Sequence, residues 1–188
     1  EEYLKFIDAM MDKPMLYYAF EILYWCGIRE GELLALTAED FDFENGTVSV
    51  SKTYHCFHGK DVVTPPKTKK SVRVVGLTER LTCEMQEYLR LCYDRRAGDR
   101  IFRVQPYFLQ SRIKKYAAEA GVKTIRTHDL RHSHVSLLIN MGLSALEIGD
   151  RIGHESQNIT YHYAHLFPSS QKNITDKLNV LSQRGGSV

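Results

Sequence analysis

The sequence predicts an α+β domain, mainly α-helical, with one small antiparallel β-sheet and a basic hairpin. Apolar residues recur at helical spacing through residues 1–37 and again after Thr78. Between these stretches, residues 41–76 combine an Asn45-Gly46 turn with alternating Val48 and Val50 among β-branched and aromatic neighbours, the signature of strands. The 188 residues, 43% of them hydrophobic, suffice for one well-packed core and not for two large ones.

Tyr3, Phe6, Ile7 and Met10 share one face of a first short helix. Pro14 suits the first turn of a second, which runs to Gly27, and EGELLAL forms a short third. Within the sheet region Pro65 and Pro66 exclude a central-strand position, and Lys67, Lys69, Lys70 and Arg73 cluster into the basic hairpin. After Thr78 the helical segments are ERLTCEMQEYLRLCYDRR, QPYFLQSRIKKYAAEAG, THDLRHSHVSLLINMG, SALEIGDRIGH and a shorter SQNITYHYAHL. Thr127 is expected to cap the HDLR helix and Gly142 to give its left-handed exit. Ser144 with Glu147 forms a capping box for the next helix, which Gly153 closes. In the last segment, SSQKNITDKLNVL, Ile174, Leu178 and Leu181 make an apolar stripe that needs a partner surface.

Charge is unevenly spread. Residues 1–50 carry 3 basic and 11 acidic side chains, and the rest carry 22 and 12, so the later segments are the ones suited to a polyanion. Cys26, Cys56, Cys83 and Cys92 show neither a CxxC pair nor zinc-ligand spacing, which predicts reduced thiols and no structural metal. No uninterrupted apolar run reaches the roughly 18 residues of a membrane span, and EEYLKFIDAM is too acidic for a signal or transit peptide. The expectation is a soluble, cytoplasmic protein. The acidic start and the GGSV end read as a segment of a longer chain.

Several residues have the chemistry for holding an anion or, given cationic company, for acting as a nucleophile. Arg29 opens a short helix with Glu32 three positions on, so the carboxylate can hold the guanidinium; a surface ion pair is the plainer reading. His128 and Arg131 stand at i and i+3 near a helix start, whose positive end favours an anion. His154 follows a glycine at a helix end, free to reach into a cleft, and Tyr163 lies nine residues further. A phenol, with a pKa of about 10, attacks poorly at neutral pH without cationic company. Lys67, placed after two prolines, can reach across a groove, whereas four basic residues together also serve simple backbone contact.

Taken in order, GIREGELLAL, PPKTKKSVRVV, THDLRHSHVSLLI and IGHESQNITYHYAHL resemble the tyrosine recombinases, or phage integrase family, with the flavour of integrases from conjugative transposons and Gram-positive prophages. The resemblance implies the recombinase catalytic fold over residues 1–188, with about residues 168–188 a C-terminal tail or helix that docks on a neighbouring protomer. The family's N-terminal core-binding and arm-binding domains are absent from this chain. By the same resemblance Arg29 and Arg131 clamp the scissile phosphate, His154 adds a hydrogen bond, and His128 helps Tyr163 lose its proton. Lys67 protonates the departing 5′-hydroxyl, Tyr163 holds the DNA as a 3′-phosphotyrosine, and Glu32 orients Arg29. Tyr161 competes with Tyr163, and Lys69 and Lys70 with Lys67; the spacing from His154 and the following AHL favour Tyr163, and the KT after the bend favours Lys67.

Further DNA contacts are expected from Lys69, Lys70, Arg73, Lys114, Lys115 and Arg126. The implied partners are double-stranded recombination sites, three further copies in a homo-tetramer on DNA, and accessory excision or bending factors. Strand exchange would pass through a Holliday junction with no cofactor, metal, ATP or membrane. His132, which commonly follows the arginine in this family, is given no role, and a metal site built on His132, His134, His162 and His165 is rejected for want of an acidic second shell. Two rivals stand beside this reading. A helix-turn-helix regulator would use residues 128–152 without chemistry, and a type IB topoisomerase would share the chemistry but relax supercoils as a monomer.

Overall fold

Local sequence decides where most elements begin and end. The computed structural model describes residues 1–66, 68, 71–92, 96, 98–153, 163, 175, 178 and 179. Helices α1 (Glu2–Asp8), α2 (Pro14–Cys26) and α3 (Glu30–Ala35) come first. Pro14 sits in the first turn of α2, where its missing N–H is no loss, and Gly27 ends that helix in the left-handed region at φ 61°. A 3-10 turn at Ala38–Asp40 leads into β1 (Phe41–Asp42), β2 (Thr47–Val50), β3 (Thr53–Phe57), β4 (Lys60–Thr64) and β5 (Arg73–Gly76). Then follow α4 (Glu79–Leu91), α5 (Pro106–Glu119), α6 (Asp129–Asn140) and α7 (Ala145–Ile152).

The strands of residues 41–76 form two antiparallel units rather than one sheet. One has the order β1-β2-β5, with Val48 opposite Val75 and Val50 opposite Arg73. The other is the hairpin β3–β4, which pairs Tyr54 with Val63 and turns through His58 and Gly59. Strand β4 ends at Thr64 in one unit and β5 begins at Arg73 in the other, and Lys67, Lys69 and Lys70 of the expected basic hairpin lie outside the described residues. Arg100 holds the hairpin to the body. Its guanidinium lies 4.1 Å over the Tyr54 ring, meets Asp61 at 2.7 Å and donates to the Leu34 carbonyl of α3.

Apolar periodicity builds one continuous core from Phe20 and Leu23 of α2, Leu33 and Leu34 of α3, Val48, Val50 and Val75 of the sheet, and Leu81, Met85, Leu109 and Ile113 of α4 and α5. Each such side chain, fully buried, contributes about 1.5–3 kcal/mol. A second cluster joins α6 to α7 through Val135, Leu138, Ile139, Ile148 and Ile152, and the ring of Tyr163 packs against it. The α6–α7 corner is set by caps: Gly142 is left-handed, Ser144 and Glu147 close a capping box, and Gly153 ends α7 at φ 69°.

One expected cap is absent. The Thr127 hydroxyl donates to Oε1 of Gln110 on α5 at 3.2 Å, and α6 starts at His128 without a side-chain cap. The start of α6 is fixed by Asp129, whose carboxylate accepts from the Arg126 backbone N–H at 2.9 Å. No helix among the described residues is long and apolar enough to cross a membrane. Leu178 is helical and exposed, and Ile174 and Leu181 lie outside the described residues.

Candidate active site

Three arginines and one glutamate meet where α2 ends and α3 begins. Glu32, on the first turn of α3, is buried and accepts from the Arg29 backbone N–H at 2.8 Å and from the Arg29 guanidinium at 2.9 Å. The expected support of Arg29 by Glu32 is therefore present. Arg73 completes the arrangement from β5, donating to both oxygens of Glu32 at 3.1 and 2.9 Å. Burial alone would raise the Glu32 pKa, but the Arg73 fork and then Arg29 outweigh it and hold the carboxyl below its ordinary range.

Arg73 was expected to face DNA, and the structure corrects this. The side chain shares the inward face of β5 with Val75, is 9% exposed, and spends its remaining reach on the carbonyls of Ser71 and Arg151. The planar fork of an arginine matches a carboxylate with two parallel hydrogen bonds, and here the partner is Glu32.

Arg131 fastens this cluster to the helices that follow. It is 3% exposed and donates to the Gly27 carbonyl, two residues before Arg29, and to the Ile152 carbonyl at the end of α7, each at 2.6 Å. Burial, then the neighbouring Arg29, lower its pKa to about 9, with Glu32 opposing, so the guanidinium stays charged at neutral pH. The negative end of α7 faces both Arg131 and Arg73, which take its last carbonyls. Three guanidiniums against one carboxylate leave an excess of positive charge, suited to an anion and unsuited to a metal cation.

Gly27 has little freedom to be another residue. Its φ of +61° is left-handed, and a Cβ there would stand 2.3 Å from Cδ2 of His134. His134 is buried and accepts a hydrogen bond from Arg151 Nε at 3.1 Å, while Arg151 also donates to the carbonyls of Trp25 and Gly76. Sequence reasoning assigned no role to Arg151 or His134. Only the spacing of His134, three residues after Arg131 on one helix, hinted that it shares the inward face.

Tyr163 packs against the α6–α7 cluster, with its hydroxyl within the electrostatic reach of Arg131. Its pKa is raised by burial and lowered in part by Arg131, so the phenol is protonated at neutral pH. The hydroxyl meets Nδ1 of His132. His128, the expected helper, instead packs edge-on against His132 with ring centres 4.9 Å apart. Burial, then His132 and Arg131, depress the His128 pKa, against the pull of Asp129.

Lys67, Lys69, Lys70, His154 and Tyr161 lie outside the described residues. Arg126 is exposed beside His128 and paired with Asp129 at 2.8 Å. Lys114 and Lys115 are exposed on α5; Lys115 faces Glu119 and Asp12, at the end of α2 away from Arg29. A helix of 13 residues separates those ends by roughly 20 Å.

The chain is similar to proteins already known. The Phage integrase family pattern matches residues 1–170. The ICEBs1 integrase of Bacillus subtilis (strain 168) is 35% identical over 196 residues, covering 96% of this chain and 53% of the relative. A tyrosine recombinase of Pseudothermotoga lettingae is 28% identical over 189 residues, covering 98% of this chain and 60% of the relative. Among solved structures, the Tn1549 transposon integrase in complex with transposon right end DNA shares the fold, with a TM-score of 0.76 and 24% identity over 96% of this chain and 64% of that one. The chain thus spans between half and two thirds of the curated relatives' length.

Proposed function

Because the chain belongs to the phage integrase family, the tyrosine recombinases, we propose that it is the catalytic domain that cuts and rejoins DNA at a recombination site, with Tyr163 as nucleophile. The observation that carries this reading is the Tyr163 hydroxyl meeting His132, the residue after Arg131, with the Arg131 charge acting on the phenol. In this account the scissile phosphate sits against Arg29 and Arg131, whose guanidiniums stabilise the extra charge of the five-coordinate transition state. Arg131, already tied to two carbonyls, is rigid before DNA arrives, and Glu32 with Arg73 does the same for Arg29.

Tyr163 Oη attacks phosphorus and becomes a 3′-phosphotyrosine, while the 5′-oxygen leaves with a proton from Lys67 and His154 donates to the phosphate. Attack by the 5′-hydroxyl of a second strand reverses the step. The phosphodiester's energy is kept in the covalent link, so ATP is not consumed, and two such cycles exchange duplexes through a Holliday junction. Residues 1–188 form the catalytic unit, and about residues 168–188 dock on a neighbour in a DNA-bound tetramer. Accessory excision or bending factors bias the direction.

The test starts from a pool of nicked duplexes randomised around the nick. The chain should become covalently joined to a subset, which reveals its site. Two duplexes carrying that site should then exchange strands; relaxation of supercoils by a monomer without exchange would favour the topoisomerase alternative, and no covalent complex at all would remove the proposal.

A further inference from the structure

Among the described residues the hydroxyl of Tyr163 meets one histidine, and it is not the one the sequence suggests. Nδ1 of His132 lies within hydrogen-bonding reach of Tyr163 Oη, with ring centres 5.9 Å apart and planes at 45°. His128 reaches only the face or edge of His132. We infer that His132 is the catalytic residue that accepts the phenolic proton when Tyr163 attacks, an inference resting on the reading of Tyr163 as nucleophile.

Among the described residues, the other groups near the hydroxyl are already committed elsewhere. Arg131 is a cation and accepts no proton. Asp129 holds Arg126 through both carboxylate oxygens. His134 is buried with Nε2 accepting from Arg151. His132 is exposed and one position after Arg131, so a single turn of α6 carries both the phosphate clamp and the acceptor. Nδ1 accepts when the neutral ring keeps its proton on Nε2.

In the step, the Tyr163 O–H bond breaks and its proton passes to Nδ1 of His132. The Oη–P bond forms, the P–O5′ bond breaks, and the proton from Lys67 goes to O5′. The enzyme then holds one proton more on His132 and one fewer on Lys67, and religation returns both. Among the described residues, the charged and titratable groups around His132 are His128, Arg131 and Asp129 on or at the start of α6, Arg126 and Lys123 along the adjoining groove, and Tyr163.

The experiment compares single-turnover cleavage of the selected nicked duplex with the same duplex carrying sulfur in place of the bridging 5′-oxygen, since a thiolate leaves without a proton. His132→Ala and His132→Asn should cut both substrates about 100-fold or more slowly than wild type. Lys67→Ala should be slow on oxygen and restored on sulfur. A wild-type rate in His132→Asn would reduce His132 to positioning and overturn the inference, as would rescue of His132→Ala by sulfur. If wild type forms no covalent complex, the proposed function falls; if it does and His132→Ala matches it, only this inference falls.

Discussion

Arg73 grips Glu32 with two parallel hydrogen bonds, NH1 to Oε1 at 3.1 Å and NH2 to Oε2 at 2.9 Å, across 41 positions of sequence. Since Glu32 also holds Arg29 and Arg73 also holds the Arg151 carbonyl, the start of α3, strand β5 and the end of α7 are locked together. Removing the fork with Arg73→Met leaves a buried carboxylate half paired. The expected cost is about 3 kcal/mol or more in a urea unfolding series.

The same geometry would separate Arg73 from the residues proposed to touch DNA. A phosphate contact, when removed, lowers the slope of log affinity against log salt by about one. Arg73→Lys should leave that slope unchanged while slowing cleavage, because a lysine cannot span both oxygens of Glu32. A reduced slope would return Arg73 to the DNA-facing surface.

Gly27→Ala tests how tightly the arginine cluster is built. The substitution meets both a left-handed backbone and His134 at 2.3 Å, and it disturbs the carbonyl that receives Arg131. Strain and overpacking together predict a loss of about 2–4 kcal/mol, read as a lower unfolding midpoint, with cleavage reduced further than stability alone explains.

His134 gives the fold a dependence on pH. Burial first, then Arg151, push its pKa down to about 4, so the folded ring is neutral. An unfolded histidine titrates near about 6.5, so between these values the unfolded chain binds the extra proton. This contribution is full above about pH 6.5, is lost as pH falls toward about 4, and amounts to about 3 kcal/mol. His134→Gln, which keeps an acceptor for Arg151, should show a flatter stability profile than wild type across that window.

Arg131→Lys removes the fork that reaches Gly27 and Ile152 together. One ammonium cannot hold both carbonyls and still present donors to a phosphate. Covalent complex formation should slow by about 100- to 1,000-fold, with DNA binding little changed.

What the sequence disclosed was mainly local. Pro14, Gly142, the Ser144–Glu147 box and Gly153 act within a few residues, and so does the Arg29–Glu32 pair; each stands where spacing placed it. Relations across the chain were not readable. Arg73 looked like its lysine neighbours because its carboxylate partner lies in α3, although its two-residue step from the inward Val75 was a usable signal. Thr127 was expected to cap its own helix and is instead drawn to Gln110, 17 positions away. The choice of His132 over His128 depends on how Tyr163, 31 positions on, approaches α6.

The central claim is that Tyr163 carries the DNA during the reaction. The direct measurement is to cleave the selected nicked duplex, digest the denatured covalent complex and identify by mass spectrometry the peptide that bears the nucleotide. The account predicts the adduct on Tyr163 and none in Tyr163→Phe. An adduct on Tyr161, or one that persists in Tyr163→Phe, would contradict it.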